Sequence, residues 1–208
     1  MSIETTDIID HLAGIAPASA LHVVRSARAV ARDNAQKSYE ALFLPVDDTL
    51  VSLAERLAVA AFVAGLHGDA GVAAFYRERL SAVAPAALTT AIADEVARGA
   101  TRGPYGNYPA GPLTVENVAG IVYEVTEANH AALGARLTAA LEHAHLLVFR
   151  PRDSSPEALQ DLLDAGWSTD GIVTLSQLVA FLAFQIRVIV GLRALAVSQS
   201  DSAVSSAA

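Results

Sequence analysis

Signals that start and stop helices recur along the whole chain, and they constrain the fold more than any other feature. Apolar stretches with helical spacing lie between capping residues, Gly and Pro, whereas the strict apolar–polar alternation of a half-buried strand does not recur. Hydrophobic residues make up 53% of the chain and aromatic residues only 6%, and Ala and Leu supply much of the apolar content. The sequence therefore predicts an all-α protein.

The clearest helix boundary lies at Ser52 and Glu55, which have the spacing of a capping box. We expect that helix to end at His67-Gly68, with Asp69 capping the next helix and Ser155 capping a later one. The predicted helices cover residues 6–12, 19–43 with a break near 32–34, 52–66, 69–83, 85–99, 114–148 with an interruption at 134, 155–166 and 172–197.

The stretch "GATRGPYGNYPAGPL" at 99–113 is the one long connection rich in Gly and Pro. It predicts two helical halves joined by a loop within a single domain over 1–198, followed by a small polar tail at 199–208 that is expected to be disordered. Loops of this length are usually functional or disordered. Two interpretations stay open: a lid over a pocket, or an arm that contacts a neighbouring subunit.

Charge and composition exclude several classes of function. A formal net charge of −8 supplies no clustered cations for phosphates, so we expect no nucleic-acid partner. The absence of Cys rules out disulfides, thiolate nucleophiles and thiolate–metal sites. The start Met1-Ser2-Ile3-Glu4 lacks the basic and apolar regions of an export signal. A cytoplasmic location fits these features.

The C-terminal stretch "GIVTLSQLVAFLAFQIRVIVGLRAL" needs testing as a membrane span. Its longest uninterrupted apolar run, 178–184, is far shorter than the ~20 residues that a span requires, and Gln185 and Arg187 interrupt the apolar residues after that run. Arg is costly in the middle of a lipid-embedded helix. The pattern favours a buried core helix and predicts no membrane partner.

Two Glu-x-x-His pairs, Glu127/His130 and Glu142/His145, invite a metal interpretation, because di-iron bundles use this motif on two facing helices. Here the pairs lie 15 positions apart on one predicted helix, about 22 Å by the helical rise. The neighbours His143 and His145 point to different helix faces. We therefore predict neither a metal nor another cofactor.

Two segments carry a family resemblance. The helix–break–helix segment "ERLAVAAFVAGLHGDAGVAAFY", 55–76, resembles the core helix pair of the AhpD-like, or carboxymuconolactone decarboxylase, superfamily. The later run "LQDLLDAGWSTDGIVTLSQLVAFLAFQIRVIVGL" is similar to the family's C-terminal segment, with Phe184-Gln185-x-Arg187 on the long helix. The resemblance implies an AhpD-like multi-helix bundle, and the sequence of the whole chain is similar to that of a cysteine-less branch of the superfamily.

The chain departs from the family at its redox motif, which is Glu, eleven residues, Cys-x-x-Cys, three residues and His. Aligned on Glu55, the motif places His67 and Ala70 at the cysteine positions; aligned on Gly68, it places Asp69 and Val72 there and Tyr76 at the histidine. A thiol peroxidase needs one thiolate to attack and a second to resolve the sulfenic acid. We therefore predict that thiol peroxidase activity is absent.

The resemblance implies a cleft at the helix break. Its expected catalytic residues are Glu55 as proton acceptor with His67 or Asp69 as proton carrier, and its expected substrate-binding residues are Arg187, Gln185 and Tyr76. Structural alternatives exist for three of these. Glu55 also completes the capping box, His67 can interact with the helix dipole, and Arg187 is expected to pair with a carboxylate such as Glu55. Along a straight helix Glu55 and His67 are about 18 Å apart, so one shared site requires the chain to turn back or a second subunit to contribute.

The resemblance implies a non-thiol enzyme that transfers protons on a small organic acid, a lactone or a related compound. The alternative is a non-catalytic subunit or binding protein that assembles with itself or with a cysteine-bearing relative from the same superfamily. A chain with so much apolar content also predicts exposed hydrophobic surface and a homo-oligomer, with 99–113 or the N-terminal helices in the contact. A small-molecule ligand is expected only for the enzyme or the binding protein.

Overall fold

A computed structural model of the chain describes the backbone of residues 7–205 and the side chains of residues 7–199. Over these residues the regular secondary structure is helical, apart from one antiparallel bridge between Gly106 and Val118. The predicted all-α class is confirmed. The described part of the chain contains nine α-helices: α1 Ile8–Ala13, α2 Ala20–Ser26, α3 Ala29–Phe43, α4 Leu53–His67, α5 Ala70–Ser81, α6 Ala86–Gly99, α7 Glu127–Phe149, α8 Pro156–Asp164 and α9 Thr169–Ser205.

The predicted caps around α4, α5 and α8 are confirmed. Ser52 and Glu55 form the complete capping box, and Gly68 ends α4 in the left-handed conformation with φ 74°. Asp69 accepts a hydrogen bond from the backbone of Val72, and Ser155 accepts one from the backbone of α8. These side chains satisfy backbone N–H groups that have no partner inside the helix.

The predicted helix beginning at Thr114 is wrong. Residues Pro112–Glu116 form a 3-10 turn, the chain then runs extended, and α7 begins at Glu127 with Thr126 as its N-cap. The sequence "NVAGIVYEV" at 117–125 is rich in β-branched residues and contains Gly120, which lowers helix propensity. A Cβ on Gly120 would lie 2.2 Å from Cγ of Tyr105, so only glycine fits this close approach. We call residues 117–126 the strap.

Of the other predicted helix boundaries, one is confirmed and two differ from the structure. The break expected near 32–34 occurs at Ala27 and Arg28, where Arg28 has the non-helical angles φ −116° and ψ 49°. Gly134 interrupts α7 as expected, with φ 68° and ψ 170°. Helix α9 continues past the predicted end near 197, into the tail expected to be disordered, and residues 1–6 and 206–208 lie outside the described part.

The chain divides into two compact units, one formed by residues up to Val46 together with those from Phe184 onward, the other by Asp47–Ala183. In the second unit, helices from both sides of the Gly/Pro-rich connection pack together, with α4 contacting α5, α6 and α7. Helix α4 is the centre of this unit, because its residues from Arg56 to Leu66 are buried on almost every side. A single domain over 1–198 stays a prediction.

The other unit contains a compact cluster of charges. Arg25 binds Asp7 at 2.8 Å and Asp10 at 2.6 Å, and Arg32 binds Asp10 at 2.9 Å. Arg193 donates to the backbone carbonyl of Leu12 at 2.6 Å. Because Arg25 and Arg32 lie on different helices, the early break between α2 and α3 lets both guanidinium groups reach the same carboxylates. This pairing identifies the cluster as structural.

Within the described residues, one helical segment is long and apolar enough to cross a membrane by length and composition, Thr169–Gln199. In its most apolar 18-residue window 39% of the residues are buried. That is less burial than the sequence led us to expect for a core helix.

Candidate functional site

The carboxylate of Glu55 is held by groups that join three parts of its unit. One oxygen accepts from the backbone N–H and the hydroxyl of Ser52 at 2.8 and 2.9 Å, and the other accepts from Nε of Arg136 at 2.8 Å. The same guanidinium donates to the carbonyls of Gly166 and Leu50 and lies 4.4 Å over the ring of Trp167. Glu55 therefore fastens the start of α4 to α7 and to the turn before α9.

Electrostatics agree with this fastening role. Burial alone would raise the pKa of Glu55, but hydrogen bonds from Arg136 and Ser52 outweigh burial and hold the pKa below its usual value. An ionised carboxylate with a low pKa and three donors is a weak proton acceptor. The structural alternative for Glu55 accounts for all of these contacts.

The hydrogen-bond partners of the Glu55 carboxylate, Ser52 and Arg136, include none of the other predicted site residues. His67 is the last residue of α4, so it lies about 18 Å from Glu55 by the helical rise, and Asp69 is the N-cap of α5. Tyr76 is fully buried, with its ring packed edge-on against Phe75. Gln185 is buried and Arg187 is exposed on α9, in the other compact unit, and their roles stay predictions.

A cavity of about 310 Å³ does lie at the helix break, but its lining differs from the prediction. Small residues of α4, α5 and α6 form most of its wall, including Ala61, Gly68 and Ala73, and Arg77 is its charged lining residue. The six predicted site residues are not part of this lining. The break therefore shapes an apolar cavity without the predicted acid–base groups.

A second, polar cavity of about 240 Å³ lies between α7, α8 and the strap. Strap residues form one wall, α7 forms the opposite wall, and α8 contributes Ala158 and Asp161. The α7 residues are Ala139, Glu142, His143, His145 and Leu146, and Arg150, the residue after the helix, also lines the cavity. This cavity brings together more titratable side chains than the apolar one, so we treat it as the candidate functional site.

Glu142 is the half-buried carboxylate of the polar cavity. It accepts a hydrogen bond from the backbone of Val125 at 3.0 Å, which ties it to the strap. Burial raises the pKa of Glu142, and the nearby charges of Glu124 and Asp161 raise it further, against lowering by the Val125 N–H and by His130. Its environment thus makes Glu142 a better proton acceptor than an ordinary surface carboxylate.

His143 lines the same cavity and is 6% exposed. Its buried Nδ1 has no hydrogen-bond partner among the described residues. Burial lowers the pKa of His143, so the ring is neutral at pH 7. A neutral imidazole presents one donor and one acceptor, so this nitrogen has an unused capacity for a hydrogen bond.

Buried contacts behind the cavity hold its wall in place. His145 is hydrogen-bonded through Nε2 to the carbonyl of Gly99 at 3.0 Å, and its ring stacks on Tyr123 with centroids 4.5 Å apart. The hydroxyl of Tyr123 donates to Glu95 at 2.6 Å. His145 is thus committed to structure, in contrast to His143.

Glu95 is fully buried and binds the strap to α6. Its carboxylate accepts from Tyr123, from the backbone and hydroxyl of Thr126, from Asn129 and from Arg98, at 2.6 to 3.1 Å. Burial would raise the pKa of Glu95, but these hydrogen bonds lower it to about 2. The strap is therefore an ordered wall of the cavity.

Sequence reasoning considered Glu142, His143 and His145 only as metal ligands. Over the residues whose side chains are described, no group of three or more His, Asp or Glu side chains is arranged to hold a metal ion. Glu95 was missed altogether, although it continues the buried face of α6 formed by Leu88, Ile92 and Gly99. An acid on an apolar helix face is the signal that could have found it.

Comparison of the chain with protein-family models, with curated proteins and with solved structures finds no match.

Proposed function

We propose that the chain is a cysteine-less relative of the carboxymuconolactone decarboxylase superfamily, and that it transfers a proton on a small organic compound bound in the polar cavity. The observation that carries this proposal is the buried His143, with its unpartnered Nδ1, beside Glu142 in one cavity of about 240 Å³. An apolar engineered cavity of ~150 Å³ holds benzene, so this one takes a molecule of roughly ten heavy atoms.

Each residue has a distinct role in the proposed reaction. Glu142 removes a proton from a carbon next to a carbonyl: the C–H bond breaks, an O–H bond forms on the carboxylate, and the electron pair moves onto the carbonyl oxygen as an enolate. Neutral His143 donates a hydrogen bond to that oxygen. Return of the proton from Glu142 to the same or a neighbouring carbon completes an exchange or isomerisation that needs no further reactant.

Two features support the family part of the proposal. The helix–break–helix arrangement expected from the resemblance is present as α4, Gly68 and α5, and the described chain is all-helical. The absence of cysteine removes both sulfur steps of a thiol peroxidase. Of the substrates that the resemblance implies, a lactone or a related neutral carbonyl compound suits this cavity better than an acid, because carboxylates of Glu124, Glu142 and Asp161 line it.

The alternative, a non-catalytic subunit, is favoured by a different observation. Large apolar side chains are exposed along the connection, the 3-10 turn after it and the strap, with Leu113 at 50%, Val115 at 87% and Val122 at 71% exposure. Exposed apolar patches often mark protein–protein contacts. Such a surface fits a homo-oligomer or a complex with a superfamily relative, and it is compatible with an active site elsewhere in the same unit.

The test is proton exchange in D₂O, followed by ¹H NMR on a panel of small lactones and ketones that are neutral, cationic or anionic. We expect the chain to catalyse loss of the proton next to the carbonyl in at least one compound, and Glu142→Gln to slow this by about 100-fold or more. Glu78→Gln is the matched control, because Glu78 is an exposed acid on α5 outside the cavity. No exchange in any compound, or an unchanged rate in Glu142→Gln, would contradict the proposal.

A further inference from the structure

We infer that the compound bound in the polar cavity carries a positive charge, and that a protonated amine is the chemical group recognised there by Glu124 and Asp161 together with Glu142. The inference rests on the proposed function for the location of the site and adds the class of ligand. It comes from the balance of charges around the cavity and from a buried side chain that the protein itself leaves unsatisfied.

Three carboxylates line the cavity, from the strap, α7 and α8 respectively: Glu124, Glu142 and Asp161. Glu142 is half-buried, whereas Glu124 and Asp161 are exposed, so they form a rim around a partly buried acid. Burial contributes most to the raised pKa of Glu142, and the negative charges of Glu124 and Asp161 raise it further. A bound cation would relieve this repulsion, whereas an anion would increase it.

The cationic lining residue is already neutralised. Arg150 donates to Oδ2 of Asp153 through Nε at 2.8 Å, and its Nη2 lies 2.8 Å from the same oxygen. The exposed His130 acts on Glu142 from outside the lining, and the lining residues His143 and His145 have pKa values lowered by burial. At pH 7 the lining therefore keeps an excess of negative charge.

The acidic rim alone would be an ordinary solvated surface, and His143 is what makes it a site. This ring is more than nine-tenths buried, it lines the same cavity, and its Nδ1 lacks a partner among the described residues. A buried polar atom without a hydrogen bond is costly, so a polar ligand that supplies one gains affinity. A protonated amine with an adjacent carbonyl fits both features of the site: its ammonium group lies at the acidic rim, and its carbonyl oxygen accepts a hydrogen bond from His143.

The experiment measures binding to the full chain by ¹H–¹⁵N NMR titration with three probes of nearly equal shape, namely benzylammonium, benzyl alcohol and benzoate. We expect benzylammonium to bind about tenfold more tightly than benzyl alcohol and benzoate to bind most weakly, with shifts at the backbone of α7 and the strap. Glu124→Gln combined with Asp161→Asn should remove this preference.

A control variant distinguishes the effect of the cavity carboxylates from the effect of the net negative charge of the chain. Glu78→Gln combined with Asp94→Asn removes the same charge from two exposed positions outside the cavity lining, and it should leave the preference intact. Four results would each overturn the inference. The three probes could bind equally, or benzoate could bind more tightly than benzylammonium. Benzylammonium could fail to bind at millimolar concentration, or the two double variants could have equal effects on the preference. Because binding is read without turnover, a retained cation preference with no proton exchange would overturn only the proposed function.

Discussion

Glu95 is a single buried residue that holds the strap and the first turn of α7 against α6. Its carboxylate is inaccessible to solvent, yet it is kept ionised by hydrogen bonds from four side chains and one backbone group. Three of the residues that donate to it, Tyr123, Thr126 and Asn129, lie in the strap or in the first turn of α7. Loss of this carboxylate should therefore loosen the wall of the polar cavity as well as the packing of α6.

We predict that Glu95→Gln lowers the free energy of unfolding at pH 7 by about 3 kcal/mol, the equivalent of a pKa lowered from 4.5 to about 2. Because the folded-state pKa is depressed, this stabilisation is fully present above the unfolded value of 4.5 and is lost as the pH falls toward 2. Urea unfolding at pH 7 and pH 3 measures both effects.

Asp94→Asn, at the exposed neighbouring position, is the control and should change stability little. The difference in unfolding free energy between the wild type and Glu95→Gln should shrink between pH 4.5 and pH 2.5. A constant difference would show that the pKa of the Glu95 carboxylate is not depressed.

At the scale of helices and loops, the sequence predicts boundaries well where a side chain closes the helix locally. Ser52 with Glu55, Gly68, Asp69 and Ser155 all act as predicted, since capping depends on residues within a few positions. The strap could not be predicted in the same way, because its extended course depends on partners far along the chain, as in the hydrogen bond from Val125 to Glu142.

The candidate site, like the strap, depends on contacts between distant parts of the chain that the sequence does not reveal. The residues predicted from the family motif, Glu55, His67 and Asp69, lie at helix ends where local capping explains two of them. Glu142 and His143 appear in the sequence as ordinary members of a helix, and only the strap that packs over α7 places them in the wall of a cavity. Burial by a distant segment is a tertiary property that helical periodicity does not contain.

We predict that Gly120→Ala displaces the strap, because its Cβ would overlap Cγ of Tyr105 at 2.2 Å. The expected cost is about 1–3 kcal/mol, typical of an overpacked contact, together with faster proteolysis within residues 117–126. Gly191→Ala on α9 is the control, since a Cβ there meets no atom within 4 Å. Equal stability and equal cleavage of the two variants would mean that the strap does not need this close approach.

At the scale of the whole molecule, exposed apolar side chains at Leu113, Val115 and Val122 favour the predicted homo-oligomer. We predict that light scattering on the wild type gives a mass above the 21.6 kDa of one chain at micromolar concentration. Val115→Asp combined with Val122→Asp should shift the mass toward one chain, whereas Val83→Asp, at an exposed valine outside the N-terminal helices and outside 99–126, should not. A monomeric wild type would contradict the prediction.

Ring-¹⁵N NMR of His143 across pH tests whether this residue is a buried, neutral imidazole in the wall of the polar cavity. Assignment comes from the signal that is missing in His143→Asn. We predict a ring that is mostly neutral at pH 6.5, with a pKa below 6.5, because burial disfavours the charged form. A ring that is already half-protonated at pH 6.5 or above would contradict the claim, since it would place His143 in open water or beside a paired carboxylate.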